Sequence, residues 1–290
     1  MSRDRPAFHF PLTDLRGLVT KQLANCLSLV LLGSVAIAAG CSTSSNAPSD
    51  GSAGGSTGGG GSNKNLQPLL PDPTGFVDVT ATGTTGIKGA WYAYGDGIGT
   101  DGTPTTGDCE SKGMHAMSDC SSITTPGFGN FPNTAGKMCT SGTAAKVLTQ
   151  VGGTMPDYTW MWGAGIGLDL NNGGGDAGAT KLPYNATAAG VVGIAFDIDS
   201  VPLATLRVEL PTATQDGTSA AFWGGDQMSS PILKGHNEFL WKDVKGPFYD
   251  SVAPPFDPTT ILSIQFHIPT TTTASAAYSF CISNLSAILQ

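Results

Sequence analysis

The sequence predicts an all-β domain, a sandwich of short strands, and three observations carry that expectation. Charged residues make up only 12% of the chain while glycine reaches 40 residues, and Thr and Ser are abundant throughout, a composition that suits strands and turns better than surface helices. Short β-branched or aromatic runs recur at 76–80, 89–94, 137–151, 158–170, 191–198, 203–210, 238–241, 261–268 and 277–288, separated by Gly, Pro, Asn and Asp. Several of them alternate with period two, the mark of a half-buried strand, and no stretch sustains a helical period with caps.

The chain begins with a different kind of element. Arg3, Arg5, Arg16 and Lys21 precede an uncharged apolar run from Leu27 to Ala39, which is the layout of an export signal and is shorter than the roughly 20 apolar residues that a spanning helix needs. The run ends in Ala38-Ala39-Gly40-Cys41, which resembles a lipobox. Residues 1–40 are therefore expected to be a lipoprotein signal peptide, with Cys41 the lipidated first residue of the exported form. Residues 41–65 read as a flexible tether, since 42–63 is nearly all Ser, Thr, Gly, Ala, Asn and Pro and spans on the order of 25 Å as a coil. Ser42 rather than an acid after the cysteine resembles sorting to the outer membrane. The folded domain is expected over 66–290.

Without residues 1–40 the chain keeps ten Lys or Arg against twenty Asp or Glu, a net charge of −10, which excludes nucleic acid as a natural partner. Cys109, Cys120, Cys139 and Cys281 remain in an oxidising compartment, where an even number implies two disulfides. Three pairings are open; the preferred one joins Cys109 to Cys120 within a loop and Cys139 to Cys281 across strands. The long Gly- and Thr-rich loop from Asp96 to Asn133 contains Asp96, Asp101 and Asp108, which offer hard oxygen ligands to a structural calcium ion. The same loop holds a letter-for-letter dinucleotide fingerprint at 97–102, but Thr-Pro-Thr-Thr-Gly follows it, so no helix opens there to hold a pyrophosphate.

The runs KGAWYAY at 88–94, WGAGIGL at 162–168, GIAF at 193–196, LRVELP at 206–211, IQF at 264–266 and FCISNL at 280–285 occur in an order that resembles galactose-binding-like jelly rolls, the group with many carbohydrate-binding modules. The resemblance covers about 76–288 and implies a jelly-roll β-sandwich and a glycan ligand. Ser283-Asn284 stands where related modules often carry an acidic pair, a departure that bears on any calcium site.

No nucleophile elbow, zinc-protease motif or Cys–His pair is present, and spacing does not pair Asp197, Glu209 and Asp226 as the opposed carboxylates of a glycoside hydrolase. No catalytic residue is assigned. Alternation in the strands instead places Arg207, Asp197, Gln265 and His267 away from the core, with Gly193 and Ala195 as a floor of small residues and Trp223 on an adjoining loop. Sugars offer flat apolar faces and a rim of hydroxyls, which aromatic rings and planar polar groups bind. Trp91, Trp160 and Trp241 are expected to fill the core. The expected function is thus a cell-envelope lipoprotein presenting a non-catalytic, carbohydrate-binding sandwich; the alternatives are a structural or protein-interaction module of the envelope and, more remotely, a glycoside hydrolase.

Overall fold

The computed structural model describes residues 65–81, 83–98, 107–125, 136–172, 181–202, 205–213, 220–221, 232–244 and 256–290. Cys41, the signal, the tether to residue 64, Asp101 and Trp223 lie outside the described residues. In chain order the strands are β1 (Asn65–Pro68), β2 (Phe76–Asp78), β3 (Lys88–Gly95), β4 (Ser122–Thr125), β5 (Lys137–Ala144), β6 (Gly163–Asp169), β7 (Val191–Ile198), β8 (Arg207–Glu209), β9 (Thr212–Ala213), β10 (Ala220–Ala221), β11 (Gly235–Leu240), β12 (Ser263–Pro269) and β13 (Ala276–Leu289). Helix among the described residues amounts to one turn at Asp108–Ser111 and 3-10 turns at Met117–Asp119 and Trp241–Asp243.

Two antiparallel sheets form a jelly-roll β-sandwich. One runs β11-β7-β13-β5-β4, with β1 also paired to β13; the other runs β2-β3-β6-β12-β8. Alternation explains which way each strand faces. Ile194, Phe196 and Ile198 of β7, Phe280 and Ile282 of β13, Ala164, Ile166 and Leu168 of β6, and Ile264, Phe266 and Ile268 of β12 are all buried in one core. The sheets meet at Phe196 and Phe266, whose rings contact edge to face with centroids 4.9 Å apart, a geometry that suits the aromatic quadrupole. Trp91 and Trp241 are buried in this core as expected, whereas Trp160 is half-buried under the Lys112 ammonium, 5.2 Å from its ring.

The run 137–151 does not stay in one strand. β5 stops at Ala144, and Ala145 and Val147 pack with Met161, Cys109 and Cys120 into a second, smaller core. Apolar residues past the sheet's end are thus spent on the disulfide loop. Both disulfides take the preferred pairing, Cys109–Cys120 and Cys139–Cys281. The second joins residues directly opposite each other on β5 and β13, 4.0 Å apart at Cα.

Candidate functional site

The five-stranded sheet has an outer face whose residues follow from register alone. On β3 the residues opposite in parity to Trp91 are Tyr92 and Tyr94; they pair with Gly167 and Gly165 of β6, which in turn pair with Gln265 and His267 of β12, and these with Glu209 and Arg207 of β8. Two rows therefore cross the sheet: Tyr94, Gly165, His267, Arg207, and Tyr92, Gly167, Gln265, Glu209. The glycines are what let the tyrosines lie down. A Cβ on Gly167 would stand 2.6 Å from the Tyr92 ring and hydroxyl, and one on Gly165 would stand 2.8 Å from the Tyr94 hydroxyl, so each ring rests across the bare backbone of β6.

The result is a half-buried aromatic floor. Tyr92 and Tyr94 have ring centroids 5.8 Å apart, Tyr94 and Trp162 lie 5.9 Å apart and near parallel at 22°, and His267 sits 6.0 Å from Tyr94 and 6.1 Å from Trp162. Hydrogen bonds hold it in place. The Gln265 amide donates to the Tyr92 hydroxyl at 2.8 Å, and that hydroxyl donates to Ser263 at 3.1 Å. His267 has an acceptor on each ring nitrogen, the Glu209 carboxylate 2.6 Å from Nδ1 and the Trp162 carbonyl 3.0 Å from Nε2. These two contacts fix the orientation of the ring against the floor. Burial of the Tyr94 hydroxyl raises its pKa well above the ordinary range, with the Glu209 charge adding to the effect.

A polar rim stands at the Tyr92 end. Lys181 lies 3.8 Å over the Tyr92 ring and 2.8 Å from the Asp169 carboxylate, combining cation–π and ionic attraction. Lost hydration alone would lower the Lys181 pKa, but Tyr92 and Asp169 outweigh it and raise it; burial raises that of Asp169 against the pull of Lys181.

At the other end Asp96, just past β3, anchors the floor to the disulfide loop. Its carboxylate accepts from the Gly163 amide at 2.6 Å, the Ser121 amide at 2.7 Å and the Ser121 hydroxyl at 3.1 Å. Burial nevertheless pushes its pKa up to about 6. Since that value exceeds the unfolded 3.8, the native state binds more protons in between, and the stability that Asp96 contributes below pH 3.8 is lost as pH rises through 6, by about 3 kcal/mol. Asp96→Asn cannot titrate, so the stability difference between wild type and variant should move against wild type by up to about that amount from pH 4 to pH 7. Denaturant unfolding at the two pH values checks it; a difference independent of pH would contradict it.

Of the expected site residues, the structure brings together Arg207, Gln265 and His267. Asp197 is a correction: it belongs to β7 in the other sheet, where it accepts from Asn284 at 2.7 Å and meets His236 at 2.9 Å. Gly193 and Ala195 share that strand, so the floor of small residues is not theirs but that of Gly165 and Gly167. Alternation fixes which face of a strand a residue occupies but not which sheet the strand joins, and β7 pairs with β11 and β13. Of the three acids expected for calcium, Asp96 accepts from protein donors on both oxygens, Asp108 pairs with Lys112 at 2.7 Å, and Asp101 lies outside the described residues. Among the described residues no group of three or more His, Cys, Asp or Glu is placed to hold a metal ion. Sequence reasoning missed Tyr92, Tyr94, Trp162, Glu209, Asp169 and Lys181; the tyrosines alternating with Trp91, and the glycines alternating through 163–167, carried the signal.

No family model matches the chain, and no characterised protein matches its sequence. Among solved structures it is similar to the family 11 carbohydrate-binding module of the cellulosomal cellulase Lic26A-Cel5E of Clostridium thermocellum, at 15% identity over 59% of this chain and 81% of that one, with a TM-score of 0.33. A second is the family 11 module from Clostridium thermocellum in complex with a β-1,3-1,4-mixed-linked tetrasaccharide, at 15% identity over 53% of this chain and 89% of that one, with a TM-score of 0.27. Superpositions this loose do not match one side chain with another.

Proposed function

We propose that this chain is a non-catalytic carbohydrate-binding module, presented on the cell envelope by a lipid on Cys41. The observation that carries the reading is the aromatic floor in which Tyr92 and Tyr94 lie across Gly167 and Gly165 of β6 and Trp162 stacks beside Tyr94, with Gln265, His267 and Arg207 on the same face. Rings half-buried on a rigid sheet stack on the flat apolar face of a sugar at little entropic cost, and the planar polar groups meet its hydroxyls. Among the described residues the carboxylates on this face each have a partner, Asp78 in Lys88, Asp169 in Lys181 and Glu209 in His267. That favours binding over the opposed acid and base of a hydrolase. The tether would keep the module near the envelope, where a high effective concentration makes modest affinity sufficient.

A glycan array with the soluble chain tests the reading, followed by Tyr94→Ala on whichever glycan binds. Losing a central aromatic contact worth about 2 kcal/mol should weaken binding about thirty-fold. Unchanged affinity removes the site, and a blank array with the fold intact removes the function. One observation favours the second reading, a protein-interaction module of the envelope. Met114, Met117, Val151, Met155 and Tyr158 are exposed on the two loops tied together by the buried His115–Asp157 pair, 2.9 Å apart. A blank array would make that surface the next to test.

A further inference from the structure

The aromatic floor is not equally open along its length. Tyr92 rests across Gly167, and Lys181 stands over the same ring with its ammonium 3.8 Å from the ring centre. An ammonium that close lies over a face, because an in-plane approach would overlap the ring carbons. Both faces of Tyr92 are therefore covered, one by the backbone of β6 and one by a cation. Tyr94 and Trp162 differ, since among the described residues no cation stands over either ring.

The parts of this cap are unequally fixed. The Tyr92 hydroxyl accepts from Gln265 at 2.8 Å and donates to Ser263 at 3.1 Å, which keeps the ring on the sheet. Asp169 has the parity of Gly165 and Gly167 on β6 and so rises from the same face. It holds the ammonium at 2.8 Å with a side chain only 8% exposed, whereas that of Lys181 is 40% exposed. Lys181 itself belongs to no strand, lying between β6 and β7, and reaches the ring on a flexible four-carbon stem. The movable member of the cap is thus the lysine. A partly exposed ion pair and one cation–π contact hold it only modestly, so a ligand can displace it.

We infer that Lys181 is a specificity-determining cap on the Tyr92 end of the floor, covering the ring that a longer glycan stacks on and yielding to a chain already held at Tyr94 and Trp162. The inference rests on the glycan-binding reading and specifies that site's selectivity for chain length. A rim lysine that donates to sugar hydroxyls strengthens binding, and its removal weakens it. A lysine seated on the stacking face must first be moved, and its removal strengthens binding. The sign of the change separates the two.

The test is calorimetry on the soluble chain with a disaccharide and a tetrasaccharide of one neutral glycan, for wild type, Lys181→Ala and Lys181→Arg. Lys181→Ala should raise tetrasaccharide affinity about ten-fold, the value of a desolvated cation–π contact, and disaccharide affinity by less. Lys181→Arg, whose guanidinium also stacks on an aromatic face, should stay near the wild-type affinity at both lengths. A proton spectrum gives a second readout: the Lys181 ε-methylene protons, shifted upfield by the Tyr92 ring in the free chain, should return to their ordinary position at saturation with tetrasaccharide. Unchanged or weakened tetrasaccharide affinity in Lys181→Ala, an equal gain at both lengths, or ε-methylene protons that stay shifted at saturation each overturn the cap while glycan binding stands. If neither wild type nor Lys181→Ala binds any oligosaccharide, the glycan reading falls and the cap with it.

Discussion

Replacing Cys139 and Cys281 together by serine should cost this protein about 3–5 kcal/mol of unfolding free energy, the largest stability loss expected from removing any one crosslink. The bridge closes a loop of 142 residues, and in the chain-entropy model a loop that long removes about 5 kcal/mol of freedom from the unfolded ensemble. Cys109–Cys120 closes a loop of only 11, for which the same relation gives about 3 kcal/mol. The native state should survive the double replacement, because β5 and β13 stay paired from Lys137 to Ala144 by their own backbone bonds. Guanidinium unfolding should therefore show a lower midpoint together with a steeper slope, as the unfolded chain expands and exposes more surface. A loss below about 1 kcal/mol would mean that the strand pairing persists in the unfolded state.

Gly167→Ala should abolish most of the sugar affinity while sparing the fold, and Gly165→Ala should damage both. The difference lies in what each new methyl meets. At Gly167 its nearest neighbours are atoms of the Tyr92 side chain, at 2.6 Å, so the ring swings away and gives up its bonds to Gln265 and Ser263. Stability should fall by about 2 kcal/mol, two hydrogen bonds at about 1 kcal/mol net each, and affinity by about ten-fold as the floor loses a ring. At Gly165 the methyl would also stand 2.2 Å from the Phe266 carbonyl oxygen, which is ladder backbone and cannot swing. β6 and β12 would have to part in the middle of the sheet, at about 3 kcal/mol of overpacking strain. Thermal unfolding alongside calorimetry on the same glycan separates the two; equal stability losses would show that Tyr92 does not lie where the geometry puts it.

Much of the fold was legible in the chain. Ile264, Phe266 and Ile268 announce both a strand and its buried side, because a pleated strand exposes alternate residues to opposite faces. The even number of cysteines in the folded part, Cys109, Cys120, Cys139 and Cys281, implied the two bridges that form. The site was legible only in pieces. Arg207, Gln265 and His267 were found because all three oppose core residues on strands that pair with each other. Asp197 was drawn in by the identical argument and is on the wrong sheet, since alternation reports a face but not a neighbour.

What the sequence by itself determined is therefore each strand's two faces and the disulfide count. What only the tertiary structure decided is which faces are continuous. Strand order β3-β6-β12-β8 sets Tyr92 and Tyr94 over Gly167 and Gly165, sets His267 between Trp162 and Glu209, and sets Arg207 opposite His267, through contacts between residues up to 173 positions apart, as in Tyr92 and Gln265. The physical reason is that side-chain parity is a local property of a pleated backbone, whereas sheet order is chosen by the whole core, where Phe196 of one sheet must meet Phe266 of the other.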